Sequence, residues 1–221
     1  MSPKVKNAIE WGYCFAIAIV LAIAVRYFVG TPTIVKQISM KPTLVENQRL
    51  VLNRLDVTFS HNWKRGEIIT FEAPSVVNPA KDEKGNYIGD FSKLISNPVA
   101  KYENDPKGLF SKFTYYVLEV GKTSYIKRII GLPGEHVKIE DGKVYINGEE
   151  LQEDYLADDV ETTDMGGVFT DIIVPEGTVF ALGDNRPNST DCRCFGCIPF
   201  EKIEGKVVLR FWPLNKFGTI K

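Results

Sequence analysis

The chain has 221 residues, of which 44% are hydrophobic and 25% charged, a composition typical of a globular protein and not of a disordered one. Its formal net charge of -1, from 27 basic and 28 acidic side chains, argues against a nucleic-acid-binding protein with a generally basic surface. With only two histidines, the chain has few possible sites for histidine-based metal or triad chemistry, and four cysteines are too few for a disulfide scaffold.

An apolar segment lies near the start of the chain. After Glu10, the run WGYCFAIAIVLAIAV carries no charge until Arg26 is reached. As a helix at about 1.5 Å per residue, residues 11–30 would extend about 30 Å, which is enough to cross a bilayer. Aromatic residues at both ends suit the two membrane interfaces, and Arg26 is close enough to the far end to extend towards the headgroups. We therefore predict a transmembrane helix over residues 11–30.

The basic residues before this segment predict its orientation. Lys4 and Lys6 precede the apolar run, and basic residues favour the cytoplasmic side. We predict a cytoplasmic N-terminus over residues 1–10, a single-pass anchor in the plasma membrane and an extracytoplasmic domain over residues 31–221. A cleaved signal peptide would end in small residues of A-x-A type, whereas this segment ends in RYFVGTPT. A buried soluble helix would show one polar face, and none occurs before Arg26.

Beyond the apolar segment the chain consists of short β-branched, aromatic or aliphatic runs separated by turn residues. The runs of strand length are QRLVLNRL, GEIITFEA, TYYVLEV, SYIKRII, HVKIEDGKVYING, TVFALGD and GKVVLRFWPL. Asp141 and Gly142 between two alternating runs predict a hairpin. Residues 74–112, rich in Pro, Asn, Lys and Gly, predict a surface insertion with one helical turn, and residues 152–167 a loop. The pattern predicts a mostly antiparallel β domain.

Two segments contain residues suited to peptide hydrolysis, which needs a nucleophile, an unprotonated base and donors for the oxyanion. Ser39 occurs in ISMKPTL, where Pro42 restricts the backbone. Lys127 occurs in the apolar strand TSYIKRIIGLPGE, with Tyr125 and Ile129 on the same face. Each signal alone is weak, because a serine near a proline is usually part of a turn and a lysine in a strand usually faces water.

A third segment, FALGDNRPNSTDCRCFG, concentrates Asp, Asn, Arg and Ser immediately after an apolar strand, as in a hydrogen-bonded network. With it, the chain resembles the bacterial type I signal peptidases, in their Gram-positive-like form with one anchor. The resemblance rests on five segments in the family's order: the apolar anchor, SMKPTL, RGEIITF, YIKRIIGLPGE and GDNRPNSTDCRCFG. It implies an antiparallel β-sheet or partly open barrel as the catalytic domain, and a serine endopeptidase that removes signal peptides from exported preproteins.

The resemblance also implies roles for individual residues. Ser39 corresponds to the nucleophile, Lys127 to the general base and Ser189 to the residue that orients the lysine amine. The backbone N–H of Ser39 would donate to the oxyanion, and Gln37 stands where some members supply a serine hydroxyl as second donor. A free lysine has a pKa near 10.4, so burial would have to lower the pKa of Lys127 by several units. Residues that resemble the supporting ion pairs are Asp184, Arg128, Asp191 and Arg193.

Substrate binding is implied in the same way. The substrate would bind in an extended conformation against strand edges, with small side chains at the first and third positions before the cut. Val35, Met40 and Ile126 match positions that line the two pockets, although each could equally be an ordinary core residue. Because Ser39 follows the anchor closely, it would act near the outer membrane face. Contact with secretion or assembly machinery through residues 74–112 remains open.

Three of the four cysteines form the motif C-x-C-x-x-C at Cys192, Cys194 and Cys197. A zinc site needs four ligands, and the remaining cysteine, Cys14, lies in the apolar helix, so we predict no metal site and no cofactor. One disulfide with a leftover thiol and three free thiols both remain open.

Two other functions fit parts of this pattern. A self-cleaving repressor-type protease shares the Ser–Lys chemistry but carries a DNA-binding module, and no basic helix-turn-helix is present here. A non-catalytic scaffold for surface-pilus or secretion assembly would be expected to lack the nucleophile or the base, whereas Ser39 and Lys127 are both present.

Overall fold

A computed structural model describes residues 3–76, 95–103 and 105–220. Helix α1 (Pro3–Ala24) continues through a π-helical turn at Val25–Val29, and none of its most apolar window is buried. The combined helix has a mean hydropathy of 2.1 over that window. In the described part of the chain it is the one helix that is long and apolar enough to cross a bilayer.

The strands that follow pair in an antiparallel manner. They are β1 (Gly30–Ile34), β2 (Arg49–Asn53), β3 (Ile68–Glu72), β4 (Ser124–Gly131), β5 (His136–Glu140), β6 (Lys143–Ile146), β7 (Glu149–Glu150), β8 (Asp171–Ile173), β9 (Thr178–Leu182), β10 (Ile198–Pro199) and β11 (Ile203–Trp212). A seven-stranded sheet has the order β1-β2-β11-β3-β4-β9-β10, and a four-stranded sheet has the order β7-β6-β5-β8. The prediction of a mostly antiparallel β fold behind one apolar helix is confirmed.

Two apolar clusters lie beneath these sheets. The larger one joins the two sheets, because β4 and β9 contribute Ile129, Ile130 and Phe180 while β5 and β8 contribute Val137 and Ile172. The smaller cluster lies under the segment that carries Ser39, and its members are Val35, Met40, Leu44, Leu50, Leu52, Ile68 and Val207. The residues beside Ser39 are therefore held by a packed core, not by an isolated loop.

The predicted hairpin is present. Glu140 of β5 pairs with Lys143 of β6, and the two turn residues, Asp141 and Gly142, have φ angles of 51° and 77°. This left-handed geometry suits the short turn that an Asp-Gly pair favours. Residues 152–167 form an irregular loop as predicted.

The prediction of a strand in TYYVLEV is wrong. A short helix, α2 (Leu109–Lys112), continues into a π-helical turn at Phe113–Val117. The two tyrosines of this turn donate hydrogen bonds to Glu72 at 3.1 Å and to Asp105 at 3.0 Å, so side-chain contacts take the place of strand pairing. One helical turn was predicted within 74–112, and α2 lies there, but Ile95 and Ser96 are helical as well. Residues 77–94 and 104 of that insertion lie outside the described residues.

The chain leaves the apolar helix directly into a strand that the sequence pattern did not reveal. Gly30, predicted as the last residue of the helix, instead begins β1, which pairs with β2 along its whole length. The helix also begins at Pro3, well before residue 11. Further strands that the pattern missed are β7, β8 and β10, which have three residues or fewer and carry too little alternation to be recognised.

Gly131, at the junction of the two sheets, is expected to tolerate no side chain. A Cβ there would lie 2.5 Å from Val137 Cγ2, 3.0 Å from Val174 Cγ2 and 3.1 Å from Phe180 Cβ. We expect Gly131→Ala to lower the free energy of unfolding by about 1–3 kcal/mol through overpacking. Chemical denaturation measures this, and Gly131→Ala/Val137→Ala should recover part of the loss. Equal stability of Gly131→Ala and the wild type would contradict the packing described here.

Candidate active site

Ser39 lies in a turn after β1, and the segment that follows β9 holds this turn by hydrogen bonds. Asn185 donates from its backbone N–H to the Ser39 carbonyl at 3.0 Å and from Nδ2 to the Ile38 carbonyl at 3.0 Å. The next residue, Met40, is buried in the smaller apolar cluster. These contacts fix the turn, and the Ser39 side chain lies at the mouth of a cleft with 8% of the residue exposed.

Lys127 projects from β4 towards this serine. Its Nζ lies 2.7 Å from Ser39 Oγ, across a sequence separation of 88 residues. The lysine is only 1% exposed, and its Nζ is 5.4 Å from the centre of the Tyr125 ring on the same strand face. Within the described residues, no carboxylate forms a salt bridge with it. A buried amine in contact with a hydroxyl and without a counterion is an uncommon arrangement for a structural lysine.

The environment of Lys127 lowers its pKa from 10.5 to about 8. Burial is the largest cause, because it penalises the charged amine, while the negative charge of Asp191 acts in the opposite direction. At pH 7, one unit below this pKa, about a tenth of the molecules therefore carries a neutral amine, which can accept a proton.

Two buried ion pairs surround this contact. Arg128 donates from Nε and Nη2 to both oxygens of Asp184, at 2.9 and 2.8 Å. Arg193 donates from Nε and Nη2 to both oxygens of Asp191, at 2.8 and 2.8 Å. The backbone N–H of Gly183 also donates to Asp191 at 3.1 Å. The four charged residues singled out in the sequence thus form two bidentate pairs, of which the first joins β4 to the segment after β9 and the second lies within that segment.

Ser189 lies next to the same backbone. A Cβ on Gly183 would approach Ser189 Oγ to 2.1 Å and the Ser39 carbonyl oxygen to 2.4 Å, so these three residues meet at one point. The Ser189 hydroxyl is buried and has no hydrogen-bond partner among the residues that the structure describes. The structure thus brings Ser189 to the site without a hydrogen bond to Lys127.

Comparison with known proteins identifies the chemistry of this arrangement. The model of the family described as signal peptidase, peptidase S26, matches residues 8–212. The chain belongs to this family. The peptidase is therefore a serine endopeptidase that removes signal peptides from preproteins. No observation on the described residues, and none of the relatives named below, supports the scaffold alternative.

Two relatives, both 31% identical, agree with this assignment. A probable signal peptidase I-2 of Synechocystis sp. is 31% identical over 219 residues, which cover 99% of this chain and 80% of the relative. Signal peptidase I T of Bacillus subtilis is 31% identical over an alignment of 224 residues, covering 99% of this chain and 92% of the relative. The crystal structure of a signal peptidase I from Enterococcus faecalis is 27% identical and has a TM-score of 0.39, covering 66% of this chain and 96% of that one.

A cleft of about 320 Å³ opens beside Ser39 in the peptidase. Val35, Met40 and Ile126 line it, and the first two also belong to the smaller apolar cluster. Gln37 is exposed and lines both this cleft and a second one that contains Ser39 and Lys127. The side chains assigned from the sequence to substrate pockets and to the oxyanion therefore lie at one location.

The sequence reasoning missed two charged residues and one amide that hold the site together. Arg186 has no exposed surface and donates to Glu153 at 2.8 Å and to the Gly183 carbonyl at 3.1 Å. Asn185 anchors the Ser39 turn as described above. Arg186 and Asn185 both occur in the GDNRPNSTD segment, whose density of polar residues predicted a hydrogen-bonded network, so their involvement could have been predicted from the sequence. Glu153 lies in a polar loop, and nothing in its sequence context indicated burial.

The three clustered cysteines are free thiols buried behind the site. The Cys192 sulfur accepts a hydrogen bond from the Ala181 N–H at 3.1 Å. Burial raises the pKa of Cys192 well above its ordinary value and the pKa of Cys197 to about 12, so neither is an activated thiolate. Among the described residues, no group of three or more His, Cys, Asp or Glu is arranged to hold a metal ion.

The buried amine should reduce stability at neutral pH. Because the pKa of Lys127 falls from 10.5 to about 8 on folding, burial of the charged form costs about 3 kcal/mol at about 1.4 kcal/mol per unit. Below pH 8 this cost is fully present, and it declines as the pH rises from 8 to 10.5. We expect Lys127→Met to raise the free energy of unfolding at pH 7 by roughly 1–3 kcal/mol and to flatten its rise with pH.

Chemical denaturation of the wild type and Lys127→Met at pH 7 and pH 10 measures this effect. Lys143→Met, which replaces a solvent-exposed strand lysine, is the matched control and should change little. If Lys127→Met instead lowered the free energy of unfolding at pH 7, the charged Lys127 amine would not destabilise the folded protein, and this prediction would be wrong.

Proposed function

We propose that Ser39 is the nucleophile and Lys127 the general base of this peptidase. The 2.7 Å contact between Nζ and Oγ, with the amine buried and its pKa lowered to about 8, carries the proposal. With the amine neutral, the hydroxyl donates to Nζ, and Oγ attacks the scissile carbonyl as Nζ takes the proton. The protonated amine then delivers this proton to the leaving nitrogen. A water molecule releases the acyl group from Ser39, again losing a proton to Lys127.

The oxyanion that forms during attack needs hydrogen-bond donors. We propose the backbone N–H of Ser39 as one donor and the side-chain amide of Gln37 as the second. Gln37 is suited by its position, because it lies at the junction of the two clefts that contain Ser39. Ser189 is proposed as a positioning residue for the amine, a role supported by its buried hydroxyl, which has no hydrogen-bond partner in the described part of the chain. The ion pairs of Arg128 and Arg193 would keep the strands in register around the dyad.

We propose that the preprotein binds as an added strand between two unpaired edges. β1 is the end strand of its sheet, and β4 pairs with β9 only from Arg128 onward, which leaves Ser124 to Lys127 free on that side. Residues of both edges line the cleft. The close packing of Val35, Met40 and Ile126 at its catalytic end favours small side chains at positions −1 and −3 of the substrate.

We propose that residues 11–29 anchor the protein in the plasma membrane, with residues 1–10 in the cytoplasm and the catalytic domain, which begins with β1 at Gly30, outside the cell. The exposed apolar helix and the basic residues that precede it support this orientation. Because β1 follows the helix without a linker, the cleft begins next to the bilayer surface.

We further propose that the insertion over residues 74–112 contacts secretion or assembly machinery. Its described part presents Leu109 and Phe110, which are 90% and 81% exposed. The test places a crosslinking residue at position 110 or, as a control, at position 60, and exposes cells to crosslinking. We expect a partner protein to be captured from position 110 and not from position 60.

The dyad is tested by single substitutions. We expect Ser39→Ala and Lys127→Met each to reduce cleavage of a preprotein with an Ala-x-Ala site by about 10³-fold or more, because each removes an essential reacting group. Ser189→Ala should reduce it by about 10- to 100-fold. The measurement is kcat/KM for the full-length protein in detergent. Ser111→Ala and Lys143→Met serve as matched exposed controls, and full activity of either dyad variant would refute the assignment.

The pH dependence provides an independent test. Since only the neutral amine accepts a proton, kcat/KM should rise about tenfold per pH unit below pH 8 and level off above it. The rise reports the pKa of Lys127 in the free enzyme, so its midpoint should fall near pH 8. A profile that is flat from pH 6 to pH 9, with circular dichroism confirming a folded protein throughout, would exclude Lys127 as the base.

A further inference from the structure

The cleft beside Ser39 has two chemically different ends. At the end next to Ser39 it is apolar, with Met40 and Ile126 on its floor. At the other end the floor carries Lys122, Ser124 and Glu204. The dyad chemistry uses none of these three polar residues.

The three polar residues form a compact cluster in which Ser124 is exposed at the surface of the cleft. Lys122 Nζ lies 2.7 Å from Glu204 Oε1, and Ser124 Oγ donates to the same oxygen at 2.9 Å. The side chains of Lys122 and Glu204 are only 7% and 8% exposed. The rings of Tyr115 and Tyr116 lie 5.8 and 5.5 Å from the lysine nitrogen on its other side. Among the described residues, none donates a hydrogen bond to the second carboxylate oxygen of Glu204.

The path of the chain shows which part of a substrate reaches this cluster. β1 runs from the end of the apolar helix towards Ser39, and Glu119, which also lines the cleft, forms an ion pair with Arg26 of that helix at 2.8 Å. The polar end of the cleft is therefore the end next to the helix. A signal peptide that emerges from the membrane beside this helix places the residues before the cut along the cleft, with the most N-terminal ones at the polar end.

Strand geometry gives the position. Ser124 precedes Lys127 by three residues, about 10 Å at ~3.3 Å per residue, and Lys122 lies about two residues further along. In an extended substrate alternate side chains face the same side, so if position −1 faces the floor, positions −3 and −5 face it as well. The first of these floor-facing positions to reach the polar cluster is −5.

We propose that Lys122, Ser124 and Glu204 form a specificity subsite for an uncharged hydrogen-bonding side chain, such as threonine, serine, asparagine or glutamine, at position −5 of the preprotein. This subsite rests on the proposed strand-like binding of the substrate. Such a side chain donates to the free oxygen of Glu204, whereas an apolar one removes that oxygen from water without replacing its hydrogen bond. A charged side chain is disfavoured because the cluster is already neutral as an ion pair.

The experiment compares two preproteins that differ only in threonine or valine at position −5, which have nearly the same shape. Both carry the same Ala-x-Ala site, and kcat/KM is measured with the full-length protein in detergent. We expect the threonine substrate to be preferred by about fivefold or more, in line with one buried hydrogen bond. The same exchange at position −4, whose side chain faces away from the floor, should change kcat/KM less than twofold.

Two protein variants connect the preference to the cluster. In Lys122→Met/Glu204→Leu the preference at −5 should fall to about one or reverse, while the valine substrate is still cleaved. Glu150→Gln, which alters an exposed Lys–Glu pair of the same 2.7 Å length, should retain the preference.

Three results would each overturn the subsite. They are a wild-type ratio of kcat/KM between the threonine and valine substrates near one, a preference at −3 or −4 instead of −5, and an unchanged ratio in the double variant. If the wild type cleaves neither substrate, the proposed function fails instead. The wild-type ratio decides the matter even if the double variant does not fold.

Discussion

The active site depends on one unfavourable arrangement, a lysine amine that is removed from water and has no carboxylate partner among the residues that the structure describes. Lys127 is almost fully buried, and its Nζ contacts Ser39 Oγ at 2.7 Å. A salt bridge at this position would hold the amine in its charged form and prevent it from accepting a proton. Desolvation does the opposite, because it lowers the pKa to about 8 and leaves a usable neutral fraction at physiological pH. The cost in stability is a consequence of the same burial that suits Lys127 to its proposed role as the base.

A network of buried ion pairs surrounds the contact between Ser39 and Lys127 and holds the adjacent backbone in place. Three arginines, Arg128, Arg186 and Arg193, are buried, and each forms an ion pair with a carboxylate. The pairs are linked, since Arg193 donates to the Arg186 carbonyl at 2.9 Å and Arg186 to that of Gly183. Buried ion pairs contribute little net stability, but the loss of one partner is costly, so such a network specifies geometry more than it stabilises. Here the network contacts the Gly183 backbone, which packs closely against the turn that carries Ser39.

The cleft combines two kinds of recognition. Hydrogen bonds from strand edges are independent of substrate sequence, which suits an enzyme that acts on many preproteins. Selectivity must therefore come from the side chains on the floor. In the proposed binding mode the apolar end beside Ser39 would select by size, whereas the cluster of Lys122, Ser124 and Glu204 presents directional hydrogen-bonding groups. β1 leads from the apolar helix to Ser39, so the cleft extends from the end next to this helix towards the serine.

Features of the protein that depend on local pattern were accessible from the sequence. The uncharged run after Glu10 predicted the apolar helix, the alternating runs predicted antiparallel strands, and Asp141 with Gly142 predicted the hairpin. Each follows from the few residues on either side, through helix length, strand period and turn chemistry. The resemblance of the motifs added Ser39 and Lys127 as a candidate pair, which the spacing of the residues alone would not have connected.

Tertiary structure decided everything that depends on contacts between distant segments. The strand-like run with Tyr115 and Tyr116 became helical because its tyrosines hydrogen-bond to Glu72 and Asp105. The burial of Glu153 beside Arg186 and the pairing of Lys122 with Glu204 leave no trace in their local sequences. Above all, a lysine in a strand has an ordinary pKa until the fold surrounds it. The sequence determined which groups are present, but desolvation arises only when segments 88 residues apart close around the amine.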